Sequence, residues 1–368
     1  MFKFAFVLEQ TLGHVAHSRN IERALAADPE IEATIIPVGF TDQVGFQRLP
    51  GLRTWSWRAS VAARDALRDR LRGGRLDAIF IHTQVASLLA HEIMRSVPTV
   101  VSLDATPRLF DREGEAYGHQ RSIEPLELVK RRFNERAMNG AARLVTWCQW
   151  AAYSLVADYG ASVDKIDVIA PGVSLDLFRP SLLPKRSERT RILFVGGHFE
   201  RKGGPDLLEA ARGLGDAVEL DIVTGGDIPV IPAGVRANVY RGLTPQSDKL
   251  IGLYRAADIF ALPSRGDCMP QAVIEAIACG LPVVATRVGA IPEMVSDGVN
   301  GHLIPARNPK ELRAALDSLL KHPGRRHSMG HHSRVLARQV YDADRNNQRI
   351  FEIMKRLAAG RLAPARSA

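Results

Sequence analysis

The chain has 368 residues, of which 46% are hydrophobic, and a formal net charge of +9 at pH 7. That length supports one large domain or two ordinary domains with their own cores, and we predict two. The sequence contains no apolar run of about 18 residues, which a membrane-spanning helix requires. The apolar run 2–8 is interrupted by Lys3 and followed by Glu9, which argues against a signal peptide. We therefore predict a cytoplasmic protein.

The cysteines, Cys148, Cys268 and Cys279, are widely spaced and show no CxxC pattern. This spacing argues against a disulfide framework and against a structural zinc site. We interpret the three residues as reduced, mostly buried thiols.

The positive charge is concentrated near the C-terminus, where residues 302–368 contain 14 Lys and Arg against 5 Asp and Glu. Two further basic runs lie at 53–75 and 130–132. One interpretation is that these runs form solvated helix faces. Another is peripheral contact with anionic lipid or a lipid-linked acceptor at the inner face of the membrane, with Trp55 and Trp57 at the edge. The sequence shows no recognised nucleic-acid motif, which argues against a nucleic-acid partner.

Short β-branched runs alternate with helix-length amphipathic segments, a pattern typical of parallel strands joined by crossover helices. We predict strands at 4–8, 78–82, 99–103, 144–146, 166–169, 192–195, 220–223, 239–241, 259–262, 282–285 and 302–304. The predicted fold class is α/β, with two doubly wound, Rossmann-like domains that face each other across a cleft. Such sheets bind ligands at the carboxyl ends of their strands.

A proline-punctuated, charged stretch without periodicity separates the two halves. It predicts an N-terminal domain at 1–175, a linker at 176–190 and a C-terminal domain at 191–340. Residues 341–368 are predicted to form a helical tail that packs back on the N-terminal domain.

A glycine-rich loop follows the strand predicted at 192–195. The run Gly196 to Gly204 contains four glycines and two adjacent cations, Arg201 and Lys202. Glycines let backbone amides approach an anion, and the two cations can neutralise phosphate charge. The alternative is an ordinary surface loop. Neither half opens with a GxGxxG turn, so a dinucleotide-dependent hydride-transfer enzyme is not indicated.

A second informative block begins with Asp267-Cys268-Met269-Pro270-Gln271 and reaches Glu275 within an apolar, alanine-rich run. It continues with Gly280-Leu281-Pro282-Val283-Val284 and Gly289-Ala290-Ile291-Pro292-Glu293. Together with Gly203 and Pro171-Gly172-Val173, this block closely resembles the retaining glycosyltransferases of family 4, which have the GT-B fold. The resemblance is strong over residues 166–305 and only architectural before them.

The resemblance implies transfer of a sugar from a nucleotide diphosphate sugar to a hydroxyl acceptor, with retention at the anomeric carbon. The acceptor would be a glycan, a lipid-linked saccharide or a small molecule. Enzymes of this kind generally need neither a metal nor another cofactor. In the family, two acids separated by seven residues lie at the donor site, and the matching residues are Asp267 and Glu275. The resemblance assigns Glu275 to the ribose hydroxyls and Asp267 to the hydroxyls of the donor sugar.

The chain departs from the family pattern at several positions. Lys202 matches the lysine that holds the diphosphate, but the family arginine falls at Gly197, and Arg201 is the predicted substitute. Asp267 replaces the usual glutamate, and Pro270 replaces the usual glycine, which removes one amide donor. The other predicted donor-binding residues are Gly13, His14, Gly196, Gly203, Cys268, Met269 and Gln271.

The position of the two acids fits this division of roles. Glu275 falls about one and a half turns into a helix that begins near Pro270, whereas Asp267 lies on the preceding loop. The N-terminus of that helix offers free amides and a positive dipole end to the diphosphate.

The first half is expected to bind the acceptor. Asp104 follows the strand at 99–103, where the family usually has a histidine, and it either hydrogen-bonds the substrate or caps the loop. His14 lies either near the donor phosphate or at the surface start of a helix. Further candidates are His82, Glu115 and His119.

Two other functions remain open from the sequence. A sugar-nucleotide 2-epimerase has the same architecture but requires additional acid and base groups around the sugar. A non-catalytic protein that binds sugar nucleotides or glycans is suggested by the departures at Asp104, Gly197 and Pro270.

Overall fold

The structure is a computed structural model that describes residues 1–11, 13–39, 55–117, 124–181 and 189–360. Residue contacts divide it into two compact units. The first unit comprises Met1–Arg112, Gln120–Pro171 and the chain from Asp344 onward, and the second comprises residues 113–117 and Gly172–Ala343. Four features named above lie outside the described residues: Arg53 of the first basic run, His119, part of the predicted linker (182–188) and the end of the predicted tail (361–368).

The elements of the first unit, in chain order, are β1 (Phe2–Glu9), α1 (His14–Ala26), β2 (Ile31–Val38), α2 (Trp55–Arg72), β3 (Ala78–His82), α3 (Gln84–Ser87), α4 (His91–Ser96), β4 (Thr99–Leu103), α5 (Pro107–Arg112), α6 (Glu124–Gly140), β5 (Arg143–Thr146), α7 (Gln149–Tyr159) and β6 (Ile166–Val168). The strands form a parallel sheet in the order β2-β1-β3-β4-β5-β6.

The elements of the second unit are β7 (Thr190–Val195), α8 (Gly204–Ala211), β8 (Val218–Val223), β9 (Ala237–Tyr240), α9 (Asp248–Ala256), β10 (Ile259–Leu262), α10 (Gln271–Ala278), β11 (Val283–Thr286), α11 (Ile291–Met294), β12 (Gly301–Ile304), α12 (Pro309–Lys321) and α13 (Pro323–Val340). Its strands form a parallel sheet in the order β12-β11-β10-β7-β8-β9. The last described helix, α14 (Ala343–Ala358), follows it in the chain.

The central strands of the first sheet are buried on both faces, as in other parallel sheets covered by helices. Along β1, Phe4, Phe6 and Leu8 contribute to one core cluster, whereas Ala5 and Val7 contribute to the other. Successive residues of a strand point to opposite faces, so one apolar run supplies both cores.

Helix α14 packs on the first unit, as predicted for the tail. Phe351 and Met354 belong to the same core cluster as Phe6, and the ring centroids of Phe6 and Phe351 are 5.8 Å apart. The ammonium of Lys355 donates to Asp28 Oδ2 at 2.9 Å. Both apolar packing and an ion pair therefore hold the helix on the first sheet.

No strand is predicted from the sequence between residues 8 and 78, and this is wrong because Ile31–Val38 forms β2. This strand lies at the edge of the sheet, where its buried and exposed residues do not alternate regularly. Pro37 cannot donate to a strand ladder and is tolerated at an edge. The other predicted strands are present, with ends within two residues of those predicted.

The division between the units passes between Pro171 and Gly172. Beyond it, the amide of Val173 donates to Tyr341 O at 3.0 Å, and the amide of Ala343 donates to Val173 O at 3.2 Å. These bonds attach the chain after Pro171 to the end of the second unit.

Among the described helices, none is both long enough and apolar enough to cross a membrane. Cys148, Cys268 and Cys279 are buried and form no disulfide within the described part of the chain, as predicted.

Candidate active site

The second sheet has a topological switch point between β7 and β10. From β7 the chain moves outward through β8 and β9, then returns to the other side of β7 and moves outward again through β10, β11 and β12. In doubly wound sheets, ligands bind where the strand order reverses, at the carboxyl ends of the strands. The loops after β7 (196–203) and after β10 (263–270) therefore lie side by side, and they contain most of the predicted donor-site residues.

The two loops pack against each other at Gly203. This glycine caps the start of α8 with a φ of 78°, a left-handed conformation that favours glycine. A Cβ atom at this position would lie 1.8 Å from the carbonyl oxygen of Pro263. The loops can therefore meet only because residue 203 has no side chain. At Gly197 a Cβ would meet no atom within 4 Å, so a side chain at this position would extend into open space.

We expect Gly203→Ala to lower the stability of the protein by several kcal/mol, about 3 or more, because the new methyl group combines a forced positive φ with a backbone clash. The measurement is the thermal unfolding of the variant and the wild type. Gly252→Ala is the matched control. Gly252 lies within α9 in open space, so this variant should match the wild type or exceed it by up to about 1 kcal/mol. Equal melting temperatures for Gly203→Ala and the wild type would contradict the packing described here.

Lys202 and Asp267, which are 65 residues apart in sequence, form an ion pair at this switch point. The Lys202 ammonium donates to Asp267 Oδ2, and the side chains are only 14% and 8% exposed. The Ser264 hydroxyl lies 3.4 Å from the same oxygen. The structure thus brings two predicted catalytic residues into direct contact in a largely dehydrated place, where electrostatic interactions are stronger than in water.

Arg201 lies next to this pair but is engaged elsewhere. Its guanidinium donates to Gly266 O at 2.9 Å and stacks over the ring of Tyr117 at 4.2 Å from the centroid. It therefore adds positive charge to the loop after β10 and holds that loop in place. Its predicted role as a substitute for an arginine at Gly197 stays a prediction.

The predicted donor-binding run Cys268-Met269-Pro270-Gln271 connects this loop to α10. All four residues are buried, and Pro270 is the N-cap of the helix. Cys268 O accepts from the amide of Ala290 at 2.8 Å. Neither polar atom of the buried Gln271 amide has a hydrogen-bond partner among the described residues. A buried amide of this kind costs free energy unless a ligand or water satisfies it.

Glu275 lies one turn into α10 and is buried. Burial raises the pKa of its carboxyl to about 7, although a hydrogen bond from the Tyr254 hydroxyl partly opposes the shift. The described contacts join Glu275 to Tyr254 of α9 and not to the Lys202–Asp267 pair. Its charge therefore changes close to neutral pH.

The first sheet has its own switch point, between β1 and β3. A polar cluster lies at the carboxyl ends of these two strands. Gly13 is the N-cap of α1 and His14 is its first residue. His14 Nδ1 lies 2.8 Å from His82 Nε2, and His14 Nε2 lies 3.9 Å from Glu9 Oε1. The hydroxyl of Thr83 donates to Glu9 Oε2 at 2.6 Å.

One further imidazole, that of His17, and the indole of Trp147 complete this cluster. The ring of His82 stacks on Trp147, with centroids 4.9 Å apart and an angle of 12°. His17 packs edge-on against Trp147 at 5.0 Å. Burial holds the pKa of His82 well below its usual range and lowers that of His17 to about 3, so both rings are neutral near pH 7.

Asp104 follows β4 at the same edge of the sheet. Its Oδ1 accepts from the amide of Ala105 at 2.9 Å, so it does cap the loop. Burial raises its pKa, with a smaller contribution from Glu9, and His14 acts in the opposite direction. Asp104, His14 and Glu9 therefore share one electrostatic environment.

Sequence reasoning missed several residues of these sites. Glu9, His17 and Trp147 could have been found because they lie at the ends of predicted strands or in the first turn of the helix after β1. Tyr117 gave no such signal, because the chain around it contains no regular motif. Of the weaker candidates, His82 belongs to the cluster.

Two family models match this chain. The model described as "Glycosyltransferase Family 4" matches residues 13–177, and the model described as "Glycosyl transferases group 1" matches residues 189–322. Together they span most of both units.

Curated relatives and solved structures agree with these matches. The chain is 28% identical over 325 residues to D-inositol 3-phosphate glycosyltransferase of Paenarthrobacter aurescens, covering 82% of this chain and 78% of the relative. It is 28% identical over 333 residues to the protein of the same name from Pseudarthrobacter chlorophenolicus, covering 84% and 77%.

Among solved structures, sucrose-phosphate synthase from Thermosynechococcus elongatus has a TM-score of 0.78 at 15% identity, covering 98% of this chain and 100% of the other. Anabaena HepE in complex with UDP-glucose has a TM-score of 0.69 at 18% identity, covering 96% and 100%. At these identities the likeness shows the fold, which is GT-B.

Proposed function

Because this chain belongs to glycosyltransferase family 4 and is a glycosyltransferase, we propose that its donor is a nucleotide diphosphate sugar, that its acceptor is a hydroxyl group and that the transfer retains the anomeric configuration. The observation that carries the choice of donor is the buried Lys202–Asp267 pair at the switch point of the second sheet. It supplies a cation for a diphosphate and a carboxylate for sugar hydroxyls within one site. Glycosyl transfer is supported over epimerisation and over binding without catalysis, since the matched families and relatives are glycosyltransferases.

In the proposed reaction, the bond between the anomeric carbon and the diphosphate oxygen breaks, and its electron pair stays on the diphosphate. The acceptor oxygen forms the new bond from the same face, and its proton passes to the diphosphate oxygen. The developing negative charge is stabilised by the Lys202 ammonium, by the positive field of Arg201 and by the N-terminus of α10. The reaction then requires no side-chain nucleophile and, as we propose, no metal ion.

We propose the remaining donor contacts as follows. Glu275, when ionised, accepts hydrogen bonds from the ribose hydroxyls, and the Gln271 amide gains a ligand partner that it lacks within the described protein. Asp267 accepts from hydroxyls of the donor sugar. The polar cluster of the first unit, with Asp104, binds the acceptor, and the place of His14 near the donor phosphate stays a prediction.

The test is to incubate the folded protein with UDP-, GDP- and ADP-sugars, with and without an inositol phosphate and a simple glycoside as acceptors. We include the inositol phosphate because the relatives are named for it. The expected result is release of nucleoside diphosphate that depends on acceptor, persists in EDTA and yields a product with the donor's anomeric configuration. Tight donor binding without turnover for any acceptor would contradict the proposal.

We further propose contact between the first unit and an anionic membrane. On α6, Leu128 and Val129 are 57% and 47% exposed, next to the basic run Lys130 to Arg132. Lys130 and Arg131 are, however, paired with glutamates of the same helix, which reduces their free charge. Vesicle flotation of the wild type and of a Leu128→Ser/Val129→Ser variant, with and without anionic lipid at two salt concentrations, tests this contact. Flotation that is equal for neutral and anionic vesicles would contradict it.

A further inference from the structure

Residues 113–117 belong to the second unit, although the chain on either side of them belongs to the first. This 113–117 segment packs on the loop after β10. A Cβ on Gly266 would lie 2.4 Å from the Cβ of Ala116, so the close approach depends on a glycine at position 266. The Tyr117 ring lies under the Arg201 guanidinium, and this cation–π contact fixes the other end of the segment.

This packing brings a second carboxylate, that of Glu113, to Asp267. The amide of Gly289 donates a hydrogen bond to Glu113, whose Oε2 would lie 3.3 Å from a Cβ on Gly266. Burial and the neighbouring charge of Asp267 raise the pKa of Glu113. Neighbouring carboxylates repel each other unless a proton, a cation or a hydrogen-bond donor lies between them.

The contacts of Asp267 show where such a donor would bind. Lys202 and Ser264 both approach Oδ2, and no donor among the described residues reaches Oδ1. A carboxylate on the longer side chain of Glu113 supplies an acceptor from a different part of the chain.

We propose that Glu113 is a specificity-determining residue of the donor site, which accepts hydrogen bonds from the donor sugar's hydroxyls together with Asp267. This inference rests on the proposed function, since it takes the Lys202–Asp267 pair to be the donor site. A sugar hydroxyl is neutral and donates a hydrogen bond, so it relieves the repulsion between the carboxylates without adding charge. Glu113 therefore favours sugars that present a hydroxyl at this point over epimers that do not.

Glu113→Gln is the informative variant because its amide oxygen still accepts from Gly289, which keeps the 113–117 segment in place, while the negative charge is lost. The probes are UDP-glucose, UDP-galactose and GDP-mannose, together with free UDP and GDP. We expect the Kd or KM of the preferred nucleotide sugar to rise about tenfold, since one charge-assisted hydrogen bond is lost. The Kd of the matching free diphosphate should change by less than about twofold, because that ligand has no sugar. The ratio of kcat/KM between the two UDP-sugar epimers should also change.

Glu209→Gln is the matched control. Glu209 lies on α8 of the same unit, is 56% exposed and pairs with Arg212 on the surface, so this variant should behave as the wild type. Two outcomes overturn the inference: an unchanged nucleotide-sugar affinity and sugar preference in Glu113→Gln, or an equal weakening of nucleotide sugar and free diphosphate, which indicates a structural role. Failure of the folded wild type to bind any of the UDP-, GDP- and ADP-sugars of the test above would instead remove the proposed function, and this inference with it.

Discussion

The Lys202→Ala variant is expected to lose about 10²- to 10³-fold in kcat for glycosyl transfer, because it removes the ammonium that we propose stabilises the departing diphosphate. The measurement is the rate of nucleoside diphosphate release at saturating donor and acceptor. Lys249→Ala is the matched control, since Lys249 is exposed on α9 and stacks over Tyr240 away from the switch point. Turnover in Lys202→Ala within threefold of the wild type would remove this lysine from the catalytic assignment.

Loss of folding could imitate loss of chemistry in this variant, because it leaves the Asp267 carboxylate buried without its cation. Removing one partner of a buried ion pair costs about 3 kcal/mol or more. The double variant Lys202→Ala/Asp267→Asn removes both charges. We expect it to recover most of the melting temperature and none of the activity, since the cation is still absent. If the double variant recovered both its melting temperature and its transferase activity, Lys202 would contribute only to the stability of the fold.

The second large expected effect is the dependence of protein stability on pH that the Glu275 carboxyl causes. Its pKa is raised to about 7 from the usual 4.5, so the folded protein holds the proton more tightly than the unfolded chain. The neutral carboxyl therefore makes its whole contribution to the free energy of unfolding below about pH 4.5. This contribution is lost as the pH rises through about 7. For a shift of this size the loss amounts to about 3 kcal/mol. Glu275→Gln lacks this loss, so its melting temperature should fall less between pH 5 and pH 8 than that of the wild type.

Donor binding should show the opposite dependence on pH. The ionised carboxylate is the better acceptor for ribose hydroxyls, so the affinity of the wild type for a nucleotide sugar should rise about tenfold from pH 6 to pH 8. Glu275→Gln should bind the donor 10- to 100-fold more weakly at pH 8 and without this dependence. Titration calorimetry at both pH values measures the two effects, with Glu209→Gln as the control. A donor affinity that depends on pH in the same way in Glu275→Gln would contradict the assignment.

The prediction of the fold succeeded where the pattern was local. Strands such as Ala78–His82, Thr99–Leu103 and Ile259–Leu262 are short apolar runs between turn residues, and they occur at the predicted positions. Strand β2 was missed because an edge strand with Pro37 does not have the continuous apolar composition of a central one. The tail helix was predicted to return to the first unit, and the core contacts of Phe351 confirm this packing.

The candidate site was only partly predictable. The glycine-rich loop pointed to Lys202, and the family resemblance identified Asp267 and Glu275 and assigned their roles. In the structure Asp267 pairs with Lys202, whereas Glu275 lies beside Tyr254, and burial raises the pKa of its carboxyl to about 7. The pKa of a carboxyl depends on its burial and on the nearest dipoles. The spacing of eight residues between Asp267 and Glu275 determines neither.

By itself, the sequence determined the alternation of strands and helices, the glycines that permit tight loops and the order of the chemical groups along the chain. These are local properties, since backbone sterics and the periodicity of apolar residues act over a few positions. The tertiary structure alone decided which distant groups meet. It placed Lys202 against Asp267, His14 against His82, and Glu113 beside the loop after β10. Strand order and close packing fix such contacts, and both depend on the whole folded chain.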